Sequence, residues 1–168
     1  MVAPDGNWAD HCLFLPAVPD AREEIELKIL IVEDEIVVAL SMHDILTDSG
    51  HEVLGIVRTA HEAMQLVRTA KPDLAFLNID LADDVKGTDL ARILRVDFDV
   101  PSIFVSGSLH EARAAPNAAL GYIAKPCSPM LLIKSVELVK ALRSGTPLEE
   151  LHIPAGLTLF EMPADTVS

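Results

Sequence analysis

The feature that most restricts the fold is a set of short runs, such as Ile29 to Val32 and Leu74 to Leu77, that are apolar at consecutive positions and not at every second one. A strand with one wet face alternates between apolar and polar residues. A strand that is apolar throughout must be covered on both faces, which is the condition of a parallel strand with helices above and below it. Between these runs, apolar residues recur at helical spacing. Val38, Ala39, Met42, Ile45 and Leu46 form one stripe, with Ser41, Asp44 and Asp48 turned to water, and Ala60, Ala63, Met64 and Val67 form a second. Leu90, Ala91 and Leu94 form a third, with Thr88 as the expected cap, and Leu132, Val136 and Val139 form the last, opened by Ser128 and Pro129. The segment from Leu109 to Ala119 is rich in alanine but interrupted by Pro116, so a helix there is short.

Strands are expected at Lys28 to Val32, at Glu52 to Val57, around Leu74 to Leu77, at Pro101 to Val105 and at Gly121 to Ala124. Five strand–helix alternations predict an α/β fold, (βα)5 and doubly wound, on a five-stranded parallel sheet. Residues 27–143 make this domain. Residues 1–26, with Pro4, Gly6, Pro16 and Pro19, read as an irregular extension whose alternative is docking through Trp8 and Leu13 to Leu15. Residues 144–168 read as a tail, with Leu157, Leu159 and Phe160 as a patch able to dock on a partner or a second subunit.

Charge narrows the function. A formal net charge of −13 without a basic cluster argues against binding nucleic acid or an anionic membrane, because both need cations to displace counterions. Cys12 and Cys127 belong to no metal-ligand spacing, no run reaches membrane-spanning length, and a cytoplasmic protein is the expectation. The six histidines are dispersed and read as structural or surface residues.

Parallel strands collect their carboxyl ends on one sheet edge, where ligands are handled in open α/β folds. The residues brought there are Glu33, Asp34, Asn78, Asp80, Ser106 and Lys125. Carboxylates offer the hard oxygens that Mg²⁺ selects, a lysine is a compact cation, and a serine can donate a hydrogen bond to an added oxygen.

The motifs Ile29-Leu30-Ile31-Val32-Glu33-Asp34-Glu35, Pro72-Asp73-Leu74 leading to Asn78, then Gly87, Ser106-Gly107 and Tyr122-Ile123-Ala124-Lys125-Pro126 together resemble the receiver domain of two-component response regulators, the CheY-like fold. The resemblance covers about Leu27 to Arg143 and implies the strand order 2-1-3-4-5 of flavodoxin-like sheets. It also implies a phosphorelay role, in which a histidine kinase donates a phosphoryl group to an aspartate at the end of the third strand. By position, Glu33 and Asp34 match the acidic pocket, Ser106 and Tyr122 the switch residues, and Lys125 the family's lysine. Asn78 falls on the phosphoacceptor.

A carboxamide nitrogen is delocalised and its oxygen neutral, so Asn78 is not expected to form an acyl phosphate. Mg²⁺ would be held by Asp34, by Glu33 through water and by the backbone carbonyl of Asp80, with weakened affinity. Lys125 would be free to donate to the amide oxygen.

The expectation is a stand-alone, non-enzymatic module that works by protein–protein contact with a histidine kinase or other signalling protein, or as a homodimer. Its contact face is expected on Leu109 to Arg143. The alternative is a Mg²⁺-dependent phosphoryl acceptor, either with the acceptor at Asp80 or as an engineered aspartate-to-asparagine variant. A phosphatase using Asn78 and Asp80 lacks its nucleophile, and a flavin site has only Ser106-Gly107-Ser108 as a phosphate loop.

Overall fold

The computed structural model describes residues 25–160. What was expected of Trp8, Cys12 and Leu13 to Leu15 lies outside the described residues. Strands β1 (Lys28–Val32), β2 (Glu52–Val57), β3 (Leu74–Leu77), β4 (Ser102–Ser106) and β5 (Gly121–Ala124) alternate with helices α1 (Ile36–Asp48), α2 (Ala60–Thr69), α3 (Gly87–Phe98), α4 (Leu109–Arg113) and α5 (Pro129–Arg143). With a sixth strand, β6 (Leu157–Leu159), the sheet order is β2-β1-β3-β4-β5-β6, with the first five strands parallel. The order 2-1-3-4-5 is therefore present.

The apolar runs are explained by two separate cores. Leu30, Val32, Ala75, Leu77 and Phe104 point into the layer beneath α2, α3 and α4. Their neighbours Ile29, Ile31, Leu74, Phe76, Ile103 and Val105 point into the opposite layer, beneath α1 and α5. Both sides of each central strand are buried, so polar residues have no place until the strand ends.

Among the described residues, two helices carry side-chain caps, of which the one at Ser128 was expected. Ser128 accepts a hydrogen bond from the Leu131 N–H at 3.1 Å, with Pro129 in the first turn. Thr59 and Glu62 form a reciprocal capping box on α2. Thr88 does not cap α3. That helix begins at Gly87, two residues earlier than a Thr88 cap would set it, with Lys86 at the cap position and no side-chain cap. The Gly87 N–H instead donates to the Ile79 carbonyl at 2.7 Å, and a Cβ on Gly87 would stand 2.1 Å from the Asn78 carbonyl oxygen. The early start follows from this close approach, which only glycine allows.

The carboxyl-terminal patch departs most from expectation. Leu157–Leu159 forms a sixth strand, β6, antiparallel to β5, so the five-stranded sheet gains an edge strand and the segment docks on its own domain. Leu157 is buried against the α1–α5 core, and the Phe160 N–H donates to the Leu120 carbonyl at 2.9 Å. An exposed strand edge offers unpaired backbone groups, and Gly121 lets the Thr158 carbonyl come close enough to use them. The contact face expected on α4, β5 and α5 thus has the open edge of β5 covered by β6.

Candidate functional site

Two loops meet at the carboxyl edge of the sheet. The Asn78 N–H donates to the Val32 carbonyl at 2.8 Å, which extends the β1–β3 pairing by one step and sets Asn78 beside the acids that follow β1. Its side chain is 7% exposed, so each amide atom needs a partner. Oδ1 accepts from the Ile79 N–H at 2.9 Å. Nδ2 donates to Asp34 Oδ1 at 2.9 Å, to the Asp80 carbonyl at 2.8 Å and to Glu33 Oε1 at 3.2 Å. The opposite amide orientation would set an oxygen against three acceptors, so the donor pattern fixes which atom is which.

Glu33 is 2% exposed and is held from three sides. Its Oε1 also accepts from the Glu35 N–H at 3.1 Å, and the Lys125 ammonium stands 2.8 Å from Oε2 as an ion pair. Lys125 pairs in addition with Glu35 at 2.9 Å. Burial pushes the Glu33 carboxyl above the ordinary carboxylate value against the pull of Lys125, and its interaction with Asp34 adds to the rise. Burial also acts to raise Asp34, but its interactions with Glu33 and Asn78 outweigh it and hold that carboxyl below its ordinary value. Lys125 loses solvent as well, yet Glu33 and Glu35 together raise it.

The structure does not join Lys125 to the amide oxygen of Asn78, as the sequence suggested. That oxygen is taken by the Ile79 N–H, and the carboxylate of Glu33 lies between the two residues, bound on one oxygen by the amide and on the other by the ammonium. The Asp80 side chain points away from Asn78 and is paired with Lys86 at 2.7 Å, leaving only its backbone carbonyl toward the amide.

The oxygens assigned from sequence to a cation are therefore the ones that converge on Nδ2. Magnesium needs oxygen ligands at about 2.0–2.1 Å in near-octahedral array. Here the three lie 2.8–3.2 Å from a nitrogen that presents protons, so a cation does not fit unless the amide leaves. Among the described residues, no group of three or more His, Cys, Asp or Glu side chains is arranged to hold a metal.

Ser106 and Tyr122 complete the edge. Ser106 Oγ is buried and accepts from the Ser108 N–H at 3.1 Å. The Tyr122 ring is turned inward, 3% exposed, and its hydroxyl donates to the Ser106 carbonyl at 2.7 Å. Burial raises its phenol above the ordinary value.

Three residues of this network have partners that the sequence did not reveal, and one of them, Lys86, was not singled out from it at all. Glu35 shares Lys125, Lys86 bridges Asp80 to Glu111 of α4 at 3.5 Å, and Ser108 Oγ lies 3.4 Å from Asp80 Oδ2. A signal existed for Lys86, the one basic residue between Asn78 and Gly87 in an otherwise acidic loop. For Glu35 it was the third place in an acidic triplet.

Comparison with known proteins agrees with this architecture. The response regulator receiver domain family matches residues 29–137. The phyllosphere-induced regulator PhyR of Methylorubrum extorquens is 36% identical over 84 residues, covering 49% of this chain and 32% of that protein. The transcriptional regulatory protein PdtaR of Mycobacterium tuberculosis is 31% identical over 139 residues, covering 77% of this chain and 65% of that protein. The chain thus spans 32% and 65% of the length of these two relatives. Among solved structures, the PhyR receiver domain of Erythrobacter litoralis aligns with a TM-score of 0.63 at 25% identity, covering 68% of this chain and 90% of that one. The receiver domain of a modulated diguanylate cyclase from Desulfovibrio desulfuricans aligns with a TM-score of 0.66 at 29% identity, covering 74% and 99%.

Proposed function

The chain belongs to the response regulator receiver family, and from that premise we propose that it signals in the cytoplasm by protein contact without taking up phosphate. By position, Asn78 takes the seat of the family's acceptor aspartate. The observation that carries the reading is the state of its carboxamide, whose nitrogen is committed to three oxygens and whose oxygen is committed to the Ile79 N–H. An acyl phosphate needs a charged oxygen with a free lone pair, and neither amide atom offers one. Asp80 is a poor substitute, because its carboxylate faces Lys86 and Ser108.

The inward Tyr122 supports a domain resting in one switch conformation, since its hydroxyl and ring are both satisfied there. A partner, a histidine kinase or another signalling protein, then acts by binding one state better than the other. Its expected face is α4 and α5 with the β6-covered edge between them. A second copy of the chain is a further candidate partner, and nucleic acid and membrane are not, given the charge of −13.

Incubation with acetyl phosphate and Mg²⁺ followed by intact-mass measurement tests this. The native chain should stay unmodified while Asn78→Asp gains a phosphoryl group. A stable adduct on the native chain overturns the proposal, and its loss in Asp80→Ala would identify Asp80 as the acceptor.

A further inference from the structure

We infer that the Asn78 carboxamide is a built-in replacement for the divalent cation, so that the acidic pocket is assembled without metal and does not admit Mg²⁺. The inference rests on reading Asn78 as the occupant of the acceptor position, and it concerns a different property, the pocket's demand for a cation. A cation in such a pocket ties the loop after β1 to the loop after β3 and offsets the carboxylates between them. Here Nδ2 ties the same two loops, with Glu33 and Asp34 from one and the Asp80 carbonyl from the other.

Charge supports this. The carboxylates of Glu33, Asp34, Glu35 and Asp80 are faced by the ammonium groups of Lys125 and Lys86, which leaves acids in excess. An aspartate at position 78 would add one more negative charge and remove the N–H donors, so the pocket would call for a cation. The carboxamide adds no charge and turns its positive edge toward the acids. Admitting a metal would require the amide to rotate and offer Oδ1, which strips the buried Ile79 N–H of its acceptor and turns N–H groups away from Asp34 and Glu33.

The experiment compares melting temperatures of the native chain and Asn78→Asp in EDTA and in increasing MgCl₂. The native chain should melt at the same temperature throughout. Asn78→Asp should melt lower in EDTA and recover by about 5 °C or more once Mg²⁺ stands near 100 times its dissociation constant. Should Asn78→Asp fail to fold, Mn²⁺ titration of the native chain followed by amide NMR decides alone. Broadening should then be spread over exposed acids such as Asp44 and Asp48, with no preference for Asp34 and residues 78–80. Selective broadening of those amides, or a Mg²⁺-dependent rise in native melting, overturns the inference. Either result would leave the phosphoryl-adduct experiment untouched, so the two readings fail separately.

Discussion

Replacing Gly87 by alanine should damage both the fold and the pocket. The added Cβ would stand 2.1 Å from the Asn78 carbonyl oxygen and 2.8 Å from the Ile79 Cα. Both obstacles are backbone, so no rotamer change relieves them, and α3 must move off the strand end. That movement stretches the 2.7 Å hydrogen bond from Gly87 to Ile79 and shifts the loop whose Asp80 carbonyl meets the amide. Overpacking costs about 1–3 kcal/mol, and a lost hydrogen bond costs about 1 kcal/mol more. A total near 3 kcal/mol is a large part of the roughly 5–15 kcal/mol that holds a domain together. With a urea slope of about 2 kcal/mol/M, the unfolding midpoint should fall by about 1.5 M. Urea unfolding followed by far-UV circular dichroism measures this. A Gly87→Ala midpoint within about 0.3 M of native would refute the reasoning, because it would mean that the contact between α3 and the end of β3 yields freely.

Three further perturbations read other parts of the network. Lys125→Met leaves Glu33 buried without its cation and should cost about 2–3 kcal/mol at pH 7, less than the ~3–5 kcal/mol of a fully buried pair because Glu33 can take up a proton. The sign of its pH dependence follows from the raised folded value of Lys125. The lysine's contribution is complete below its ordinary value of 10.5 and is lost as pH rises through the folded value, so melting temperatures of the native chain should fall on that alkaline limb while Lys125→Met lacks this component. Tyr122→Phe removes the donor to the Ser106 carbonyl and should lower stability by about 1 kcal/mol in urea unfolding, with the ring still packed. Truncation after Ser144 uncovers β5 and the site of Leu157, and should cost about 2 kcal/mol or more and promote self-association in light scattering; a monomer of native stability would refute the role assigned to β6.

The sequence by itself determined the layered fold. Apolar runs such as Ile29 to Val32 require cover on both faces, and the stripes between them supply it, because unbroken apolar runs and a 3.6-residue period are local properties of the chain. The gathering of Glu33, Asp34, Asn78 and Lys125 at one edge was legible for the same reason, since parallel strands leave their carboxyl ends together. Only the tertiary structure decided the pairings. Asn78 lies 45 residues from Glu33, and Lys125 lies 90 from Glu35, so no periodicity records which of them touch. The direction of the amide depended on three acceptors brought from two loops by the β1–β3 register, and the place of Leu157 to Leu159 depended on an edge strand whose Gly121 lets another backbone come close. Hydrophobic pattern acts over neighbouring residues and can be read along the chain, whereas a buried polar side chain takes whatever partner the folded register sets beside it.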